Sequence, residues 1–275
     1  MSATPASTTD ASVSRTSDLG GSAISARGLL RSEWAKLWSV RSLWLTLAAA
    51  FALTVGLCGY MIIDGAMLGS DVAKDIPFGW TAVYPVGMLG LVIFGVLINT
   101  SEYSSGTIRT SMIAVPRRTG VLAAKAVVSA SIVAMLAAVT SIGLYVLLQI
   151  AGTVDSAKGM SPLDPDMFWG MLCGTLILPF GTLFGVALGG LVRNAAAAIT
   201  LYFAVFQMGP QILPNLLPEG IARVTDYMPL AAVDVFRAGG LSSDPYNIGA
   251  AIVVLLAWLA GLGGAAWWLL KRRDV

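Results

Sequence analysis

Residues able to do chemistry are few in this sequence, and most of them gather in one place. There is no histidine, and the two cysteines, Cys58 and Cys173, stand singly inside apolar runs. At those positions they read as small hydrophobes, not as a disulfide or a metal pair. Asp164 and Asp166 flank a proline in "SPLDPDMFW". Two carboxylates at that spacing could hold a cation or share acid–base work, but around a proline in a loop they read as solvated turn residues. Without histidine, no Cys/His or H-E-x-x-H pattern can form, and no G-x-x-x-x-G-K-[ST] run is present to cradle a nucleotide phosphate. The expectation is therefore no catalytic residue and no metal site. What remains is "TSEYSSGTIRTSMIAVPRRTGVLAAK", residues 100 to 125, the densest polar and charged block between two apolar stretches. Its chemistry is recognition through charge-assisted hydrogen bonds.

The elements that must position this block are read from composition. Of 275 residues, 56% are hydrophobic and 12% charged, and mean hydropathy is +0.79, which excludes a soluble domain and predicts an all-α polytopic membrane protein. Six stretches are long and apolar enough to cross a bilayer: about 43–63, 80–99, 121–150, 168–192, 195–213 and 247–270. The third exceeds a perpendicular span and should tilt or project beyond the membrane. Residues 1–25, rich in Ser, Thr, Ala and Gly, read as a disordered tail, and 43–275 as one six-span domain.

Orientation follows from the basic residues, which are retained near span ends on the cytoplasmic side. One set of termini and loops carries thirteen basic residues against five acidic ones, and the opposite set four against ten, balances of +8 and −6 that reproduce the chain's net +2. Both termini and the 100–125 loop are thus expected in the cytoplasm, in a plasma (inner) membrane. Ahead of the first span, "GLLRSEWAKLWSVRSLW" places Leu30, Trp34, Leu37 and Trp38 on one side of a helix and Ser32, Lys36 and Ser39 on the other. Residues 26–42 read as an interfacial amphipathic helix; the alternative is a first span that starts early behind an aromatic belt of Trp34, Trp38 and Trp44.

Lys125, near the start of the third span, is the one ionisable residue within the six stretches. A proton-coupled carrier needs a titratable group at membrane depth, so the energy source is expected outside this chain. Sodium coupling at helices broken by Pro85, Pro179 or Pro210 is the alternative, against ordinary proline kinks. In the fourth span Gly181, Gly185 and Gly189 recur every four residues, a spacing for close helix contact, either within the chain or across a dimer seam. In the polar loop, Ser101 offers an N-cap, Glu102 favours a helix start, and Pro116 ends the element before Arg117 and Arg118. The expectation is a short helix lying across the span ends; a solvated connector would explain the arginines but not Glu102, the Ser-Gly-Thr turn or Pro116.

In "SEYSSGTIRTSMIAVPRRTGVLAAK" the pattern E-x3-G-T…P…K, formed by Glu102, Gly106, Thr107, Arg109, Pro116 and Lys125, resembles the membrane (permease) subunits of type-2 ABC transporters. "SEWAKLWSVRSLW" resembles the entry segment of actinobacterial members. The resemblance implies a six-helix ABC-2 permease fold that dimerises, as a homodimer or a heterodimer, and docks separate ATPase subunits that bind ATP and Mg. It implies export by alternating access, a coupling helix at Glu102, Gly106, Thr107, Arg109, Pro116 and Arg117, and short external helices between spans five and six within "PNLLPEGIARVTDYMPLAAVDVF". No cofactor is expected in this chain and no nucleic-acid partner, only the bilayer and the other subunits. Two other readings stand beside it: an ion-coupled secondary carrier, and a non-transporting membrane partner such as a sensor or immunity component.

Overall fold

A computed structural model describes residues 26–64, 84–104, 118–151, 159–237 and 246–272. Among the described residues every regular element is helical. A leading helix, α1 (Ala26–Ser39), is followed after Val40 by span 1 (Arg41–Asp64), span 2 (Tyr84–Ser104), span 3 (Arg118–Ala151) and span 4 (Pro165–Val192). Span 5 runs from Ala195 to Leu216, and span 6 covers Ile248–Arg272. These six helices are long and apolar enough to cross a membrane, and they coincide with the six expected stretches to within a few residues, apart from longer ends on several. At roughly 1.5 Å per residue, the 34-residue third span is about 50 Å long, well beyond the roughly 30 Å hydrocarbon core.

Span 4 is the axis of the bundle. It packs on spans 2, 3 and 6, and 67% of its apolar window is buried within the chain, against 61% for span 2 but only 17% and 11% for spans 5 and 6. Spans 2 and 4 therefore form the core, and spans 5 and 6 leave most of their apolar surface to other surroundings. The core seam depends on absent side chains. A methyl built on Gly185 would overlap the Val92 carbonyl oxygen, and one on Gly95 would overlap that of Thr182. Gly181 lies against Met88 and Gly189 against Val96, so the expected glycine repeat packs within one chain along span 2. Asn99 reinforces the seam by donating to the Val186 carbonyl at 2.6 Å. A buried interhelical hydrogen bond of this kind contributes about 0.6–2 kcal/mol in a membrane.

The prolines do not break the expected helices. Span 4 continues through Pro179, and Pro85 sits in the first turn of span 2, where its missing N–H leaves no helical bond unmade. Pro210 is different, because it follows a π-helical stretch, Tyr202–Met208. A proline at 210 cannot donate to the preceding turn, and the widened turns ahead of it accommodate the loss. Spans 4 and 5 are joined by Arg193 and Asn194 alone. Arg193 ends span 4 in the left-handed region (φ 60) with its N–H donating to Gly189, and the Asn194 side chain caps span 5 by accepting from the Ala197 N–H at 3.0 Å.

Short helices do connect spans 5 and 6: Glu219–Ala222, a 3-10 turn at Arg223–Tyr227, and Pro229–Arg237. The indole N–H of Trp258 in span 6 donates to the Tyr227 carbonyl at 2.8 Å and pins this connection to the bundle. Asp164 and Asp166 lie at the entry to span 4. Asp164 accepts from the Ser161 N–H at 2.6 Å, which closes a turn, and Asp166 in the first turn complements the helix dipole.

Candidate functional site

The site is built where α1 crosses the ends of spans 2 and 3. Span 2 does not stop at the last apolar residue. It stays helical to Ser104, because its polar residues bond back onto their own helix, as when Thr100 donates to the Val96 carbonyl at 2.9 Å. Ser101 and Glu102 are therefore in the last turn of a span and do not begin a new helix, a correction to the sequence-based expectation. Span 3 begins at Arg118. Gly106, Thr107, Arg109, Pro116 and Arg117 lie outside the described residues.

The carboxylate of Glu102, delivered by that last turn, meets the ammonium of Lys125, delivered by the second turn of span 3, at 2.7 Å. Glu33 of α1 approaches the same ammonium at 2.9 Å through its second oxygen, while its first accepts from Lys36 at 2.7 Å. Lys36 also reaches Glu102 at 3.2 Å. Two carboxylates and two ammoniums thus alternate in a closed, neutral ring. It is held out of solvent: Glu33 is 2% exposed, Lys125 4% and Glu102 8%. At Lys36, half-buried at the rim, burial acts to lower the pKa, but the hydrogen bond and charge of Glu33, then the charge of Glu102, outweigh it and raise the pKa above the ordinary lysine value of 10.5.

Charges are costly to bury, and a buried pair is stable only when every member is partnered. The arrangement can therefore do one thing well. It fastens three helices at the base of the segment between spans 2 and 3, so that neither flanking helix can shift without breaking ionic contacts. Beside it, the Arg193 guanidinium stacks over the Tyr103 ring, 5.2 Å from its centroid, and joins the span 4–span 5 turn to the same end of span 2.

This junction also sets which side of α1 faces the bundle. Leu30 and Leu37 do face the bundle, but Trp34 and Trp38 are 44% and 58% exposed. Glu33 lies one helical step from both leucines, and its need for Lys125 decides which face turns inward. Sequence reading counted Glu33 only in the charge balance and assigned it no contact. The available signal was its position on the Leu30–Leu37 stripe, where a solvated glutamate has no reason to be.

Elsewhere the concave surfaces are apolar. One hollow of about 240 Å³ lies between spans 4 and 6, with Cys173, Ile177 and Ile252 in its wall and Phe236 of the Pro229–Arg237 helix at its edge. Among the described residues, no group of His, Cys, Asp and Glu is arranged to hold a metal ion.

Six apolar helices packed on a glycine-lined seam, with an ionic junction at the span ends, make this a multi-pass membrane protein. The chain belongs to the ABC-2 transporter family: the model described as "ABC-2 family transporter protein" matches residues 29–209, which takes in most of α1, the ionic junction, the first four spans and part of the fifth. It is thus a permease subunit of an ABC transporter, a membrane transport component. A comparison with curated proteins found no match.

Proposed function

We propose that this chain is the permease subunit of an ATP-driven exporter, powered by separate ATPase subunits that bind ATP and Mg, and that the segment between spans 2 and 3 is where those subunits push. The observation that carries the reading is the Glu102–Lys125 pair, which brackets this segment and closes its base at 2.7 Å. A force-transmitting contact needs flanking helices that move as one body. A solvated connector has no use for three buried charges, with a fourth half-buried beside them. The charge split supports a cytoplasmic setting for this end, both termini and the segment. Spans 5 and 6, with 17% and 11% of their windows buried, leave room for a second permease copy.

The proposed coupling residues are Glu102, Gly106, Thr107, Arg109, Pro116 and Arg117. Glu102 acts as an anchor, because its carboxylate is already engaged within the chain, and the surface that meets the ATPase falls to the residues from Gly106 to Arg117. The clean test is therefore Gly106→Trp. The variant should insert and fold as the parent does while losing co-purification with the ATPase or substrate-stimulated hydrolysis. Normal coupling in Gly106→Trp would reduce the segment to a connector.

A further inference from the structure

We propose that the outward face of α1 binds anionic phospholipid headgroups, and that Glu33 fixes the seat from which it does so. From Ala26 to Arg41 the acidic residue is Glu33 alone, and it is turned inward at 2% exposure. Lys36 is matched by Glu33 and Glu102. The outward face is left with Arg27, Arg31 and Arg41, all exposed, and among residues 26–41 no carboxylate to offset them. Trp34 and Trp38 share that face, with ring centroids 6.2 Å apart, and Trp38 continues onto Trp44 at 4.6 Å.

Lipid is the occupant this chemistry fits. α1 is separated from span 1 by Val40 alone, so it is held at the depth where the hydrocarbon begins. Indole rings settle at headgroup level, and guanidinium matches phosphate oxygens in a two-pronged geometry. The end of span 6 repeats the combination: Lys271 sits 3.6 Å over the ring of Trp267, and Arg272 4.2 Å over that of Trp268. Each basic residue near an anionic leaflet strengthens attachment by about fivefold. Since Glu33 ties α1 to Lys125 and Lys36 ties it to Glu102, the charge of the leaflet bears on the base of the segment between spans 2 and 3. Binding of lipid by α1 does not depend on what that segment docks.

The test uses the full chain with Cys58→Ala and Cys173→Ala, labelled with an environment-sensitive fluorophore at Ala35→Cys, an exposed position flanking the arginine and tryptophan face. In vesicles containing phosphatidylglycerol the label should report a drier setting than in phosphatidylcholine alone, and high salt should reverse the shift. The triple variant Arg27→Gln, Arg31→Gln, Arg41→Gln should lose the shift and weaken the apparent affinity for phosphatidylglycerol on the order of a hundredfold. The pair Lys271→Gln, Arg272→Gln should retain it. Inorganic phosphate added to phosphatidylcholine vesicles should give no shift. An identical signal in both lipids, a shift that survives the triple variant, or one reproduced by free phosphate would overturn the proposal.

Discussion

Two junctions hold span 2 in place, and they work by opposite means. Along its length span 2 meets span 4 through missing side chains: Gly95 and Gly185 let carbonyl oxygens approach where a methyl would overlap them. At its end span 2 meets α1 and span 3 through full charges, Glu102 and Glu33 on Lys125. The first contact is rigid because it is close and tolerates no added atom. The second is rigid because it is balanced and tolerates no lost one. A permease has reason to use both: a seam that holds two spans together along their length, and a junction that keeps the helices at one end moving as one body.

The contrast is sharpest under substitution. Lys125→Ala leaves two buried carboxylates facing one ammonium, and removing one member of a buried ionic set costs about 3–5 kcal/mol; the purified protein should lose most of its thermal stability in detergent. Glu102→Gln with Lys125→Met removes one charge of each sign and leaves Glu33 with Lys36, so the double variant should be more stable than Lys125→Ala. If the two losses simply add, the ring is no unit.

At the glycine seam, Gly185→Ala should cost about 1–3 kcal/mol by overpacking, because a backbone carbonyl cannot step aside as a side chain can. Gly143, with nothing within 4 Å of its would-be methyl, supplies the control. Gly143→Ala should be neutral or gain up to about 1 kcal/mol from helix propensity. Equal effects at the two positions would dismiss the seam. Asn99→Ala should cost about 1 kcal/mol by removing the bond to Val186.

The smallest effect is that of pH. Lys36 has its pKa raised above 10.5 in the folded chain, so its contribution is fully present below that value. It is lost only as pH rises through the higher, folded pKa. Thermal stability should therefore show no step from Lys36 between neutrality and pH 10, and a Lys36→Met variant should lose the alkaline decline attributable to this residue.

Much of this was legible beforehand for a plain reason: crossing a bilayer imposes about 20 apolar residues per span, and such runs are visible without structure. The glycine repeat was visible too, since four-residue spacing marks one helix face, but only the positions of Met88, Val92 and Val96 opposite it show that the face is filled by this chain. The ionic junction was half legible. Lys125 stood out as a charge in a span, whereas Glu33 entered only the charge balance and Lys36 only the polar side of α1. Glu102 lies 23 residues from Lys125 along the chain, and no local pattern reports contacts between helices that meet only in three dimensions. The same limit hid the setting of α1. In a membrane, tryptophans can face lipid as readily as protein, so apolar periodicity marks two faces without saying which turns inward.

The central claim, that separate ATPase subunits drive transport through this permease, is met most directly by reconstitution. The purified chain alone should neither hydrolyse ATP nor move substrate uphill. With its ATPase it should do both, only with hydrolysable nucleotide, and collapse of the proton gradient should leave the rate largely unchanged. A hundredfold gradient of a neutral solute requires about 2.7 kcal/mol, which a helix bundle without an energy source cannot supply. Sustained uphill transport by this polypeptide alone, driven by a proton or sodium gradient, would contradict the account.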